Sequence, residues 1–131
     1  MSIDVNDVAI LYVDDEAPNL LMFEMRFRNE YNVITAASGE EGLEALKDTP
    51  YNIIVVVSDM RMHGMDGIDF VKEAKKRYDE KIAYFLLTGF STNDKIQKAL
   101  DENVIQKLFT KPLDFSEMNS AIDQWKMKIM S

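Results

Sequence analysis
Four separated apolar stretches of this 131-residue chain each lead into residue types that could take part in one reaction. Asp14 and Asp15 follow the apolar run Val8 to Val13 (VAILYV), and Asp59 follows Asn52 to Ser58 (NIIVVVS). Thr88 follows Ile82 to Leu87 (IAYFLL), and Lys111, just before Pro112, follows Val104 to Thr110. Three carboxylates brought together repel one another, and a hard divalent cation resolves that conflict. Mg²⁺ takes about six oxygen ligands, commonly one or two carboxylates with waters and a phosphate. Lys111 adds a compact positive charge able to hold a phosphoryl oxygen, and Thr88 adds a hydroxyl. Together these groups describe phosphoryl transfer, in which positioning and charge stabilisation supply most of the catalysis. A carboxylate can itself accept the group as an aspartyl phosphate.

Such chemistry requires elements that deliver all five groups to one place. Between the apolar runs the spacing changes to that of helices. Leu20, Phe23, Phe27 and Tyr31 recur at helical intervals behind Pro18, which a first helical turn tolerates. Asn32 to Ala36 (NVITA) reads as a second strand. Ser38 and Glu41 form a capping box, with Glu41 reaching back, for a helix to about Asp48 that turns Leu43 and Leu46 inward. The five successive β-branched residues Ile53 to Val57 do not alternate with polar ones, so both faces of that strand should be covered. A third helix from about Ile68 ends in Lys75, Lys76 and Arg77, the sign that a helix C-terminus favours. A fourth covers roughly Thr92 to Asn103, and a second capping box, Asp114 with Glu117, opens the last. The order βαβαβαβαβα implies an α/β fold: one doubly wound unit with a parallel five-stranded sheet and helices on both faces. Ligands of such sheets bind outside the carboxyl ends of the strands. Four of the five strands release their polar group there.

Composition removes the competitors. No cysteine means no thiol catalysis and no cysteine-ligated metal, and one histidine, His63, is too few for a multi-histidine site. A formal charge of −8, from 15 basic and 23 acidic residues, opposes broad binding to nucleic acid or anionic membrane. The opening MSIDVNDVAI has no basic segment of a signal peptide, and no apolar run approaches a spanning length. A cytoplasmic protein is expected.

The set Asp14-Asp15, Asp59, Thr88 and Lys111-Pro112, with the segment SDMRMHGMDG from Ser58 to Gly67, resembles the receiver domain of two-component response regulators. The resemblance runs from Val8 to about Ile129, so residues 1–131 are expected to be one receiver domain with a core at about 8–129. It implies the flavodoxin-like strand order 2-1-3-4-5. It also implies a switch rather than an enzyme. Asp59 would be the phosphoacceptor, taking its group from the phosphohistidine of a sensor histidine kinase or a phosphotransfer protein. Asp15, Asp59 and the backbone carbonyl of Arg61 would hold Mg²⁺, with Asp14 acting mainly through a water. Lys111 would bind the phosphoryl group, and Thr88 would hydrogen-bond it. A cis Lys111-Pro112 peptide is implied as well. The fourth helix, fifth strand and fifth helix would present the altered surface to an output domain or partner protein, without direct contact to nucleic acid or membrane.

Several positions depart from the family pattern. His63 stands where a proline is usual, and reads as a solvated loop residue. Leu108 occupies the switch position that commonly carries an aromatic, while Phe109 should face the other side of its strand. Arg61 lies where the lifetime of the modification is tuned, and Gly89 beside Thr88 leaves the mouth of the site open. Met60, Met62 and Met65 read as packing over a loop. In the last helix Phe115, Met118, Ile122, Trp125 and Ile129 form a seam. It either faces the sheet or, from Trp125 onward, packs on a second copy in a homodimer or leads into an output domain. Three other functions fit the sequence less well. A phosphatase with an aspartyl nucleophile would need an acid where Arg61 stands. A flavin or nucleotide binder would need a Gly-rich loop, which the five glycines do not form. A receiver that signals without phosphate would not need the intact acidic cluster.

Overall fold
The computed structural model describes residues 7–78, 81–89 and 93–131. The strands are β1 (Val8–Val13), β2 (Asn32–Ala36), β3 (Asn52–Asp59), β4 (Ala83–Thr88) and β5 (Lys107–Thr110). The helices that alternate with them are α1 (Ala17–Phe27), α2 (Gly39–Lys47), α3 (Gly67–Arg77), α4 (Asp94–Asp101) and α5 (Phe115–Met130). Every strand pair is parallel, in the order β2-β1-β3-β4-β5. This is the doubly wound, flavodoxin-like arrangement expected from the alternation and from the resemblance.

Strand alternation sorts the core into two layers. Ile10, Tyr12, Val57 and Leu87 face α1 and α5, where they meet Phe23, Phe27, Met118 and Ile122. Leu11, Val56 and Leu86 face the other three helices, through Leu46, Val71, Ala74, Ile96 and Ala99. The register of β1 on β3 slips once, pairing Ala9 with Ile53 but Ile10 with Val55. Ile54 and Val55 therefore pack in the same layer, which a strictly alternating strand would not allow. Burial on both faces explains the unbroken apolar run of β3. The seam of α5 faces the sheet, with Met118 and Ile122 buried and Phe115, Trp125 and Ile129 packed at the margin.

Some boundaries moved for identifiable reasons. Tyr31 lies beyond the end of α1, yet it is buried and its hydroxyl hydrogen-bonds to Asp123 of α5. Ser38 accepts from the Glu41 N–H at 3.1 Å, while the Glu41 carboxylate reaches one residue further than expected, to the Ala37 N–H at 2.7 Å. α4 starts at Asp94, its cap Asn93 accepting from the Ile96 N–H; Thr92, the expected start, lies outside the described residues. β5 holds four residues rather than the seven of Val104 to Thr110. Asn103 takes a left-handed turn, φ 59°, that Asn tolerates, and the Val104 N–H folds back onto the Ala99 carbonyl. Gln106 then satisfies β4 with both of its parts: its side chain accepts from the Tyr84 N–H, and its own N–H donates to the Tyr84 carbonyl. Among the described residues, no helix is long and apolar enough to cross a membrane.

Candidate functional site
The carboxyl ends of β1, β3, β4 and β5 bring the expected groups to one edge of the sheet. One carboxylate oxygen from each of Asp14, Asp15 and Asp59 lies within 4.8 Å of the others. Asp14 has no solvent exposure and is held by three donors. The Tyr12 hydroxyl lies 2.9 Å from Oδ2, the Asn19 side-chain amide 3.1 Å from Oδ2, and the Glu16 N–H 2.9 Å from Oδ1. Tyr12 is fixed in turn by stacking on Phe23, with centroids 4.2 Å apart and planes within 8°. Burial first, and the Asp14 carboxylate second, push the Tyr12 hydroxyl far above the usual tyrosine range. It therefore remains a donor at any physiological pH.

Asp59 is the last residue of β3 and is 3% exposed. Lys111 Nζ lies 3.1 Å from each of its carboxylate oxygens. Burial raises the Asp59 pKa above the usual carboxylate range, the hydrogen bond from Lys111 opposes that, and Asp14 reinforces it. The Met60 N–H donates to the Leu87 carbonyl, which carries the β3–β4 pairing past Asp59. The Gly67 N–H then donates to the Met60 carbonyl, so α3 starts hard against the strand end. A Cβ on Gly67 would lie 2.5 Å from the Asp59 carbonyl oxygen. Only glycine fits that approach. Thr88 is buried beside Asp59 at the end of β4, and its carbonyl accepts from the Lys111 N–H at 2.8 Å. The Lys111-Pro112 peptide is cis.

Asp15 sits at the outer side of the cluster, partly exposed. Its Oδ2 accepts from the His63 N–H at 3.0 Å and lies 2.8 Å from the His63 ring Nδ1. Those hydrogen bonds, the backbone one first, hold the Asp15 carboxyl below its ordinary range. The site thus sets three carboxylates, from Asp14, Asp15 and Asp59, against one lysine. Such a donor set suits a hard divalent cation with a phosphoryl group beside it.

A family model described as the response regulator receiver domain matches residues 10–123. The chain belongs to this family. The receiver is 31% identical over 118 residues to sporulation initiation phosphotransferase F of Bacillus subtilis, covering 88% of this chain and 91% of that protein. It is 30% identical over 120 residues to the transcriptional regulatory protein ZraR of Escherichia coli, covering 91% of this chain but 26% of ZraR. A solved receiver domain protein from Clostridium thermocellum superposes with a TM-score of 0.83 at 28% identity, covering 95% of this chain and 99% of that one.

The positions that depart from the family pattern also have definite places in this receiver. Leu108 packs in the layer of α2, α3 and α4, and Phe109 in the opposite layer against Phe85. Met60 is buried and Met62 and Met65 pack on the core, as packing material should. The Arg61 side chain is exposed at the rim. A Cβ on Gly89 would make an ordinary 3.7 Å contact with the Lys111 side chain. Sequence reasoning missed Tyr12, Asn19, Gly67 and the contact of His63. A signal existed for Tyr12, since residues two apart in a strand share a face and Tyr12 must therefore stand beside Asp14.

Proposed function
We propose that this receiver accepts a phosphoryl group on Asp59 from a partner's phosphohistidine and converts it into a changed surface. One observation carries the reading: a buried Asp59, raised in pKa, lies between two further carboxylates and the Lys111 ammonium. An Asp59 oxygen attacks the phosphorus, the phosphorus–nitrogen bond to the donor imidazole breaks, and the imidazole leaves with its electron pair. Lys111 is already on both Asp59 oxygens and would follow the added charge onto the phosphoryl oxygens. The Thr88 hydroxyl would turn to donate to the same group. Asp15, Asp59 and the Arg61 carbonyl would hold Mg²⁺, with Asp14 linked to it through a water. The cation supplies charge neutralisation between acceptor and incoming phosphate. Asp14 is itself anchored by Tyr12, Asn19 and the Glu16 N–H, so this acid is set before any ligand arrives.

The roles of the flanking surfaces follow from what they expose. Leu21, Met22 and Met25 of α1 are apolar and more than half exposed, and Met22 lines the cleft that reaches Lys111 and Pro112, which suits a phosphodonor that packs through an apolar helix. At the other margin, β5 is an edge strand, and a cleft lined by Phe85, Lys107, Gln124, Trp125 and Lys128 lies between it and α5. We assign that α4–β5–α5 side to the output domain or partner protein. The cytoplasm, where soluble kinase domains and phosphodonors meet, is the compartment that fits.

Incubation with Mg²⁺ and acetyl phosphate, read by intact mass, tests the assignment. The wild-type chain should gain one phosphoryl group, and Asp59→Ala and Asp15→Ala should gain none. No gain in the wild type, or an equal gain in Asp59→Ala, would overturn it.

A further inference from the structure
His63 makes two contacts that its residue type alone does not announce. Its N–H and its ring Nδ1 converge on the same Asp15 oxygen, Oδ2, at 3.0 and 2.8 Å, across 48 residues of sequence. The tautomer protonated at Nδ1 donates there, so one residue supplies both donors. A proline at this position could supply neither, because it has no N–H and no polar side chain. Because both donors meet on one oxygen, the carboxylate keeps its other oxygen for a cation. His63 is also two residues from Arg61, whose carbonyl is the assigned backbone ligand. The same loop is fastened to the core through Met60 and Met62.

From this geometry we propose that His63 is a positioning residue for the cation site. Resting on the assignment of Asp15 to Mg²⁺, it clamps the β1–α1 loop to the β3–α3 loop, so that ligands from both are set before the cation binds. Asp15 is the most exposed of the three acids, so it has the most freedom to lose. Asp14 is held by three donors of its own and Asp59 by Lys111. For Asp15 the equivalent is His63. The His63 side chain itself is fully open to solvent, at 102% relative exposure, so replacing it removes no packing. Outer partners that orient metal ligands change affinity by about 10–100-fold when lost, and an exposed one belongs at or below the lower end of that range.

Isothermal titration with MgCl₂ would test this on the full chain as wild type, His63→Ala and His63→Asn, beside thermal unfolding of each in EDTA. His63→Ala should weaken Mg²⁺ binding by about 3- to 10-fold while its unfolding midpoint in EDTA stays at the wild-type value. His63→Asn, whose side-chain amide can occupy the place of Nδ1–H, should recover most of the affinity. Unchanged or tighter Mg²⁺ binding in His63→Ala would overturn the clamp and leave the phosphoacceptor assignment standing. Absence of Mg²⁺ binding in the wild type would remove both.

Discussion

Replacing Asp59 by Asn should make the cation-free domain more stable at neutral pH, although it destroys the proposed acceptor. Three effects compete. The Asp14 and Asp59 carboxylate oxygens are no more than 4.8 Å apart, which at an effective dielectric near 20 costs about 3.5 kcal/mol. Lys111 at 3.1 Å would return roughly 5 kcal/mol on the same scale, but its side chain is 35% exposed, and screening reduces that to roughly half. These two nearly cancel. Desolvation then decides, because Asp59 is 3% exposed and a buried ion loses several kcal/mol of hydration in practice. The net gain on neutralising the side chain is about 1–3 kcal/mol, or roughly 3–12 °C in midpoint for a domain of this size. The sign also fixes the pH dependence. Asp59 is raised in the folded state, so its burden is present above the folded pKa and vanishes below the unfolded value near ~3.9. Thermal unfolding in EDTA at pH 7 should therefore place the Asn variant above wild type, with the two curves converging towards pH 4. Mg²⁺ at 100 times its Kd should raise the wild type by about 2.7 kcal/mol and the variant by less. An Asn variant less stable than wild type in EDTA at pH 7 would refute the ranking of desolvation over the Lys111 pair.

Other substitutions probe the scaffold that aims these groups. Gly67→Ala would drive a Cβ to 2.5 Å from the Asp59 carbonyl and 2.7 Å from Leu86 Cδ1, costing about 1–3 kcal/mol in denaturant unfolding and weakening Mg²⁺ binding by displacing the β3 end. An unaltered midpoint would show that α3 slides without resistance. Among the described residues the buried Tyr84 hydroxyl has no hydrogen-bond partner, so Tyr84→Phe should be neutral or stabilising by up to about 1 kcal/mol; a clear loss of stability would reveal a partner for it. Asp114 caps α5 through the Glu117 N–H at 3.1 Å, and Asp114→Ala should cost about 1 kcal/mol in the same assay.

Much of the site was legible because each strand end carries an abrupt change of chemistry. Val13 to Asp14, Ser58 to Asp59 and Leu87 to Thr88 all pass from a run buried on both faces to a polar group at the sheet edge. The capping residues Ser38 and Asp114 were legible for a similar reason, since their hydrogen bonds span three residues and need no tertiary information. β5 misled because Val104 and Ile105 are apolar like strand residues, yet they pack where α4 turns back, and the left-handed Asn103 decides the matter. Lys95 shows the same limit among charges: it joins Asp66 at 2.7 Å and Asp69 at 3.2 Å, bracing the start of α4 to the start of α3. Burial works against the Asp66 charge, but the hydrogen bonds from Lys95 and the Asp69 N–H hold its pKa below normal.

The groups hidden from sequence share a physical feature, which is that each supports another group and would touch no substrate. Tyr12 and Asn19 hold Asp14, Gly67 admits α3 against the end of β3, and His63 holds Asp15. Chemistry-bearing residues stand out singly by type and position, whereas supporting residues are defined by a distance to something else. That distinction predicts how errors distribute. Substituting Asp59 should abolish transfer outright, while substituting Tyr12 by Phe should leave the acceptor in place and loosen Asp14. Tyr12→Phe keeps the stacking on Phe23 but removes one of three donors to a carboxylate with no solvent exposure, a loss of about 1.5–3 kcal/mol for a charged partner. The expected result is lower stability and weaker Mg²⁺ affinity, with the acetyl phosphate mass gain retained at saturating Mg²⁺. If Tyr12→Phe instead lost the mass gain at every Mg²⁺ concentration, Tyr12 would belong to the reacting groups themselves, and the division between reacting and supporting residues would be wrong at that position.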